Sequence, residues 1–253
     1  MEQLWFTAFL NRHFAGLANS ILRAFHQQAT DAAHPIPNGL AMEIMVVLIM
    51  IAVFIVIRAS LSVEKPGHVQ HAAEMVNEFI EDQMALGVIG HGGEEFTPFL
   101  LTLFVFILLA NLIGLVPTLE APTASITVTL GCAIFTFFYY HFHGIRKQGV
   151  GHYIMHFMGP QDPGVPLGIR IFVAVLLFPI EIISHFARVM SLSVRLYANM
   201  LAGDLVTMAF FSLFPIVFPV VFLGLHIGVS LIQAYIFVLL ASVYLAGAVA
   251  EEH

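Results

Sequence analysis

The sequence has few charged residues for its length. Only 10% of its 253 residues are Asp, Glu, Lys or Arg, and 59% are hydrophobic, whereas soluble domains carry about 25% charged residues. This composition excludes an ordinary soluble domain and indicates an integral membrane protein. The net charge of −7 provides no basic surface for nucleic acid, so no nucleic-acid partner is expected.

The chain also lacks the residues and motifs of several common kinds of site. Cys132 is the single cysteine, so no intrachain disulfide can form. There is no His-Glu-x-x-His zinc motif, no Walker-type lysine loop and no Gly-x-Gly-x-x-Gly turn. The first residues show no basic region followed by an apolar core and a cleavage site, which argues against a secretory signal. We therefore expect no cofactor, no metal and no nucleotide site in this chain.

Long apolar segments predict an all-α integral membrane protein with about five membrane helices. Residues 40–60, 96–117 and 122–143 each match the ~20 residues of a membrane-crossing helix. Residues 168–203 are apolar but interrupted by charges, and residues 205–250 contain no Asp, Glu, Lys or Arg. Because that last run is about twice the length of a perpendicular span, it requires two helices or one strongly tilted helix.

Residues 72–84 have the pattern of an amphipathic helix between the first two membrane segments. Met75 and Phe79 recur at helical spacing, whereas Glu74 and Glu78 occupy the other face. Such a helix lies on the membrane surface or against a partner.

Domain organisation and orientation follow from the remaining segments. Residues 1–38 are predicted to form an N-terminal periplasmic or interfacial segment, and residues 39–253 a single membrane domain. Basic residues follow the first and third membrane segments, so the positive-inside rule assigns both loops to the cytoplasm. These residues are Arg58, Lys65, Arg146 and Lys147. The N-terminus is then expected outside and the C-terminus in the cytoplasm.

A polar stripe crosses the fourth apolar segment. Glu181, Arg188 and Arg195 are seven residues apart, which places them along one helix face. Placing the permanently charged Arg195 at bilayer depth costs at least ~2.5–3.5 kcal/mol, and such charges usually mark ion paths. Arg188 has a second interpretation, in which it reaches the interface or pairs with Glu181 for structure alone. Further polar residues near this face are Ser184, Ser191 and Asn199.

A second set of polar residues follows along the chain. Asp204 precedes the long uncharged run, in which His226, Ser230 and Gln233 share one helix face through i+4 and i+3 spacing. Groups that exchange protons or bind water at short intervals indicate a water-lined proton path. An interhelical hydrogen bond is the alternative for His226, and Asn111 either joins two helices or lines a channel.

The central stretch resembles subunit a of the F-type ATP synthases, of the bacterial type. The sequence Ser-Leu-Ser-Val-Arg-Leu-Tyr-Ala-Asn-Met-Leu-Ala-Gly-Asp is similar to the central signature of that family, whose arginine and asparagine fall on Arg195 and Asn199. The family's next acidic or histidine position falls on Asp204, and its cytoplasmic-side glutamate falls on Glu181.

Two further stretches carry the same resemblance, which covers about residues 40–253. Leu-His-Ile-Gly-Val-Ser-Leu-Ile-Gln is similar to the C-terminal signature, with its histidine at His226 and its glutamine at Gln233. Ala-Asn-Leu-Ile-Gly-Leu-Val-Pro is similar to the motif of the second span, which contains Asn111. The chain departs from some members of the family at Gly114, where they have an acidic residue.

The resemblance implies a fold, a function and partners. The last two helices would form a long tilted hairpin against a ring of c subunits, in a bacterial plasma membrane. Arg195 would face a carboxylate of the ring, between two offset half-channels that couple proton translocation to rotation and ATP synthesis. The subunit would itself be non-catalytic. Its partners would be the c-ring, b-type peripheral stalk subunits, indirectly the F1 sector, and lipid.

The resemblance also assigns the polar residues to the two half-channels. The outer half-channel would contain Asn199, Asp204, His226 and Gln233, with Asn111 and Ser230 as additional candidates. The inner half-channel would contain Glu181, Ser184 and Ser191, with Arg188 as an additional candidate.

Two functions of other classes compete with this interpretation. A stand-alone proton- or ion-coupled transporter is the main alternative, and it usually shows an internal repeat or paired broken helices, neither of which is apparent. An intramembrane hydrolase would require a nucleophile and a base close together, and the sequence suggests no such pair.

Overall fold

Helices account for the architecture of the computed structural model, which describes residues 4–24, 33–62, 66–116, 119–156, 167–213 and 217–249. No strand occurs in these ranges, which confirms the all-α prediction. The α-helices are α1 (Trp5–Ala24), α2 (Asn38–Ser60), α3 (His68–Ile80), α4 (Thr97–Leu112), α5 (Ile126–Gln148), α6 (Val150–His156), α7 (Leu167–Leu213) and α8 (Val217–Val249).

Four helical stretches of the described chain are long and apolar enough to cross a membrane. They are Asn38–Ser60, Gly93–Leu115, Ile171–Ala209 and Val221–Val249, and the chain is therefore a multi-pass membrane protein. The third predicted segment corresponds to α5 but is not among them. Although α5 has 23 residues, its second half contains tyrosines and histidines, and its last turn contains Arg146 and Lys147.

The predicted boundary between the last two helices is wrong. The sequence predicts separate helices over residues 168–203 and 205–250, but α7 continues through Gly203 and Asp204 to Leu213, and α8 begins at Val217. A half-buried carboxylate does not interrupt the backbone hydrogen bonds of a helix, and a single glycine weakens a helix by only about 1 kcal/mol relative to alanine. Asp204 therefore marks a polar site on the face of α7 rather than its end.

The predicted surface helix also has different bounds. Instead of residues 72–84, the helical region comprises α3 and a π-helical continuation, Glu81–Ile89. Ile80 and Met84 are fully buried, whereas Met75 is 69% exposed. The π-helical part packs against α8, so this region belongs partly to the core of the bundle.

Helices α4, α5, α7 and α8 form the main core. Leu100 and Ile107 of α4 meet Tyr140 of α5 and Phe237 and Leu245 of α8 in one buried cluster. The two long helices differ in how far they are covered. Only 6% of the most apolar stretch of α7 is buried within the chain, compared with 44% for α8. Helix α7 therefore presents a long apolar surface that the described residues leave uncovered.

The antiparallel helices define two ends of the bundle. The Asp204 end gathers the starts of α2, α5 and α8 and the later parts of α4 and α7. The Glu181 end joins α7 to the second half of α5, and the last residues of α5 to those of α8. The two polar stripes of the sequence thus lie at opposite ends of the molecule.

Candidate functional site

A cavity of about 940 Å³ opens at the Asp204 end. Asp204 and Thr207 of α7 line it together with His226 of α8, and Glu120 and Ser125 contribute from the connection between α4 and α5. Polar groups from three separate parts of the chain therefore meet in one concave space.

A second cavity of about 400 Å³ continues along the seam between α7 and α8. It shares Thr207 and His226 with the first cavity and adds Asn199 and Gln233. The structure thus brings Asp204, His226, Asn199 and Gln233 to one pair of adjoining cavities. These are four of the residues that the sequence analysis predicted for an outer path.

Gly203 of α7 lies directly against the imidazole of His226. A Cβ atom at this position would lie 3.4 Å from His226 Nδ1 and 3.6 Å from its Cε1. An alanine would therefore touch the imidazole, and a longer side chain would compete with it for the same space.

The polar atoms of the second cavity are only partly satisfied by the protein. Asn199 Nδ2 donates a hydrogen bond of 2.6 Å to Gln233 Oε1. The Nε2 atoms of Gln233 and His226 are buried and have no hydrogen-bond partner within the described part of the chain. Buried polar groups of this kind are normally paired with protein or water, and the adjoining cavities are large enough for water.

Asn111 and Ser230 are placed differently from these four residues. Asn111 is fully buried; its Oδ1 accepts a hydrogen bond of 2.7 Å from the Thr123 hydroxyl, and its Nδ2 lies 3.5 Å from the Ser230 carbonyl. Neither residue lines the two cavities. The contacts of Asn111 favour the interpretation in which it joins helices, because both ends of its amide hold α4 to its neighbours.

Arg195 lies between the two polar ends on α7. It is partly exposed, and its Nη2 donates a hydrogen bond of 3.4 Å to Ser191 Oγ on the same helix. No carboxylate lies within ion-pair distance of it among the residues that the structure describes. At 1.5 Å per residue, it is about 21 Å from the level of Glu181 and about 14 Å from the level of Asp204.

A cluster of charged and aromatic residues occupies the Glu181 end. Glu181 Oε1 is 3.7 Å from Arg188 Nη2 and 3.5 Å from His185 Nε2. The other ring nitrogen of His185, Nδ1, forms a hydrogen bond of 2.9 Å with the buried Tyr140 hydroxyl. The Arg188 guanidinium also lies 5.2 Å from the centre of the Tyr244 ring, so Arg188 is paired and packed as its structural interpretation requires.

A second tyrosine–histidine pair adjoins this cluster. The Tyr153 hydroxyl of α6 forms a hydrogen bond of 2.6 Å with His141 Nδ1, and the rings of His141 and His185 are 4.7 Å apart. Burial is the main cause that raises the pKa of Tyr153 to about 12, so its phenol stays protonated at neutral pH. Ser184 is half-buried in the same part of α7.

Sequence analysis missed several of these polar residues. His185 and Thr207 follow Glu181 and Asp204 at helical spacings of four and three residues, and that spacing was a usable signal. Tyr140 and Glu120 had no such signal, because only the packing of α5 and of the connection before it brings them to the two sites. No group of three or more metal-binding side chains occurs in the described part of the chain.

Comparison with known proteins shows which family the chain belongs to. Residues 40–246 match the family described as ATP synthase A chain. ATP synthase subunit a of Koribacter versatilis (strain Ellin345) is 54% identical over 252 residues, covering 100% of this chain and 99% of that protein.

More distant relatives have the same name. ATP synthase subunit a of Solibacter usitatus (strain Ellin6076) is 46% identical over 96% of this chain and 99% of its own length. The protein of that name from Geotalea uraniireducens (strain Rf4) is 41% identical over 74% of this chain and 77% of its own length. The chain therefore belongs to the ATP synthase subunit a family.

Proposed function

We propose that this chain is the stator subunit of the proton channel in an F-type ATP synthase. The observation that carries the proposal is the arrangement along α7, where a partly exposed Arg195 separates two polar sites at opposite ends of the bundle. In this mechanism each site is a half-channel that reaches only part of the way through the membrane.

The outer half-channel follows the two adjoining cavities. Protons enter the larger cavity beside Asp204 and pass His226 into the smaller one, where Asn199 and Gln233 form its inner limit. The unpartnered Nε2 atoms of His226 and Gln233 support this path, because an aqueous route supplies the hydrogen bonds that the protein leaves unmade. Asn111 and Ser230 do not line this path; they support it by joining α4 to α8.

The inner half-channel begins at the Glu181 end. Glu181 accepts protons released beside Ser191, and Ser184 relays protons through hydrogen bonds on the way to the cytoplasm. The basic side chains of His185 and Arg188 lie beside the carboxylate.

Arg195 separates the two half-channels and acts on the rotor. In the proposed complex, a ring of c subunits covers the apolar surface of α7, and each c subunit carries a carboxylate at membrane depth. A carboxylate that approaches Arg195 is ionised, because an opposite charge within ~4–6 Å favours the charged form. The fixed cation also keeps protons from passing directly between the half-channels. One charge moved across 100 mV supplies about 2.3 kcal/mol, so several protons are required for each ATP.

The remaining assignments follow from the same function. The partners are the c-ring, b-type peripheral stalk subunits and, indirectly, F1, and the membrane is the bacterial plasma membrane. Arg58, Arg146 and Lys147 lie at the C-terminal ends of α2 and α5, which supports a cytoplasmic Glu181 end and an outside start of α2. The positions of Lys65 and of the C-terminal residues fall outside the described residues. Family membership favours this function over a stand-alone transporter.

The central test is the replacement Arg195→Ala in the complete ATP synthase. We expect proton-driven ATP synthesis in membrane vesicles to be abolished, because ring carboxylates are no longer ionised beside the stator. Arg58→Ala is the matched control, since it removes an exposed arginine at the end of α2 and should leave synthesis unchanged. Synthesis at the normal rate by an assembled Arg195→Ala complex contradicts the proposal.

A further inference from the structure

We propose that α1 and the connecting residues 33–37 before α2 form the outer wall of the proton entrance and keep it accessible to cations. This inference rests on the proposed function, since it concerns the mouth of the outer half-channel. The residues involved precede residues 40–246, the part that matches the family, so they are a feature of the N-terminal segment of this chain.

The N-terminal segment contributes directly to the larger cavity. Thr7 of α1 lines it, as do His34 and Ile36 of the connection and Asn38 at the start of α2. The opposite side of the same cavity is formed by residues that include Asp204 and His226. An ion that reaches Asp204 through this cavity therefore passes between the N-terminal segment and the membrane helices.

Specific contacts hold α1 in this position. The side chain of Asn11 is buried; its Nδ2 donates a hydrogen bond of 3.1 Å to the Ile36 carbonyl, and its Oδ1 accepts one of 3.0 Å from the Ile36 amide. Leu10 and Ile36 pack with Met42 of α2 in a separate buried cluster. This docking satisfies both backbone groups of Ile36 and fixes the register of α1 against α2.

Thr7 adds a buried, unpaired hydroxyl to this wall. Its side chain is only 1% exposed, and its Oγ1 has no hydrogen-bond partner within the described residues. An apolar side chain of similar shape would avoid the penalty for a buried unpaired hydroxyl. Thr7 is among the residues that line the cavity, and a water molecule that reached its hydroxyl would supply the missing partner.

The charges of the cavity favour cations. Glu120 and Asp204 are the acidic residues among those that line it, His34 and His226 are the titratable bases, and no Lys or Arg is among them. A concave site of one sign raises the local concentration of the opposite ion. The N-terminal wall therefore encloses an entrance that concentrates protons and excludes anions.

Cysteine modification in the intact ATP synthase tests this inference. In a Cys132→Ser background, Thr7→Cys is treated from the outer side with a cationic or an anionic methanethiosulfonate reagent of similar size, and proton-driven ATP synthesis is measured. We expect the cationic adduct to slow synthesis by about fivefold or more, since a fixed positive charge near the path repels protons. The anionic adduct should reduce the rate of ATP synthesis by less than half of that effect.

Two further variants make the result decisive. His34→Cys places the thiol on the same wall at an exposed position, so it remains informative if Thr7→Cys does not assemble, and it should show the same dependence on charge. Ala8→Cys, exposed and absent from the cavity lining, is the matched control and should be insensitive to both reagents.

The outcomes separate this inference from the proposed function. The role of the N-terminal wall is overturned if the Thr7→Cys and His34→Cys variants are modified without any loss of ATP synthesis. It is also overturned if both reagents cause equal losses of synthesis and the same losses occur in Ala8→Cys. If Arg195→Ala still abolishes synthesis in the same vesicles, only the wall is refuted. If Arg195→Ala leaves synthesis intact, the proposed function fails as well.

Discussion

Enlarging Gly203 should close the outer path at a defined point. A Cβ atom there would lie 3.4 Å from His226 Nδ1, which is ordinary van der Waals contact, so Gly203→Ala is expected to fold and to conduct protons. Alanine also favours a helix by about 1 kcal/mol over glycine. Gly203→Leu adds three further carbon atoms, which must displace the imidazole or fill the cavity of about 400 Å³ that Gly203 lines.

The expected magnitude follows from the packing. Where the leucine displaces the packed His226 imidazole, the cost is that of overpacking, about 1–3 kcal/mol. If that cost is added to the barrier for passage beside His226, proton flux falls by about 5- to 150-fold. The assay is passive proton uptake by vesicles stripped of F1, driven by a potassium diffusion potential and followed with a pH-sensitive dye.

The chain offers a matched control for this substitution. Gly224 lies on the adjacent helix α8, and a Cβ atom there would have no atom within 4 Å other than those of its own helix turn. Gly224→Leu therefore adds the same side chain without narrowing the cavity and should conduct normally. An assembled Gly203→Leu complex that conducts within about twofold of Gly224→Leu refutes a proton path beside His226.

The other contacts between helices yield two more predictions. Replacing Asn199 or Gln233 with leucine breaks the 2.6 Å hydrogen bond between them, so each single variant should conduct protons more slowly. In the double variant, the increase in the barrier should be smaller than the sum of the two single increases by about 1 kcal/mol. Fully additive increases contradict a functional pair. Tyr140→Phe removes the 2.9 Å hydrogen bond to His185 and should destabilise the protein by about 1–3 kcal/mol, measured as a lower thermal unfolding midpoint in detergent. In a His185→Leu background the same change should have less than half of that effect, and an equal effect in both backgrounds contradicts the contact.

The uncovered surface of α7 suits the role that we propose for Arg195. Helix α8 is held by the core on much of its surface, so its polar residues, His226 and Gln233, point towards α7. Helix α7 instead has Arg195 and Ser191 on a partly exposed face. In the proposed complex, this free face is what allows the c-ring to approach the guanidinium of Arg195.

The choice of residues at the Asp204 end reflects space as well as charge. Gly114 lines the larger cavity, and a Cβ atom there would lie 2.7 Å from the Ala121 Cβ. The acidic residue that some family members have at this position would not fit without movement of the connection. Glu120 provides a carboxylate to the same cavity from a neighbouring part of the chain.

Sequence periodicity by itself determined the class of the protein and the two stripes of polar residues. Apolar runs specify membrane helices because the bilayer core solvates no backbone polar groups. A spacing of seven residues specifies a common helix face for Glu181, Arg188 and Arg195. These inferences depend only on the geometry of a single helix, which is why they did not require a structure.

Only the tertiary structure decided where α7 ends and which residues of different helices meet. The sequence around Asp204 predicts a helix boundary, yet this residue lies within α7, because backbone hydrogen bonds continue through a residue whose side chain points into a cavity. The meeting of Tyr140 with His185, and of Thr7 with the cavity beside Asp204, depends on packing between distant segments. No local pattern encodes such contacts, since their free energy comes from surfaces that the sequence brings together only in the folded bundle.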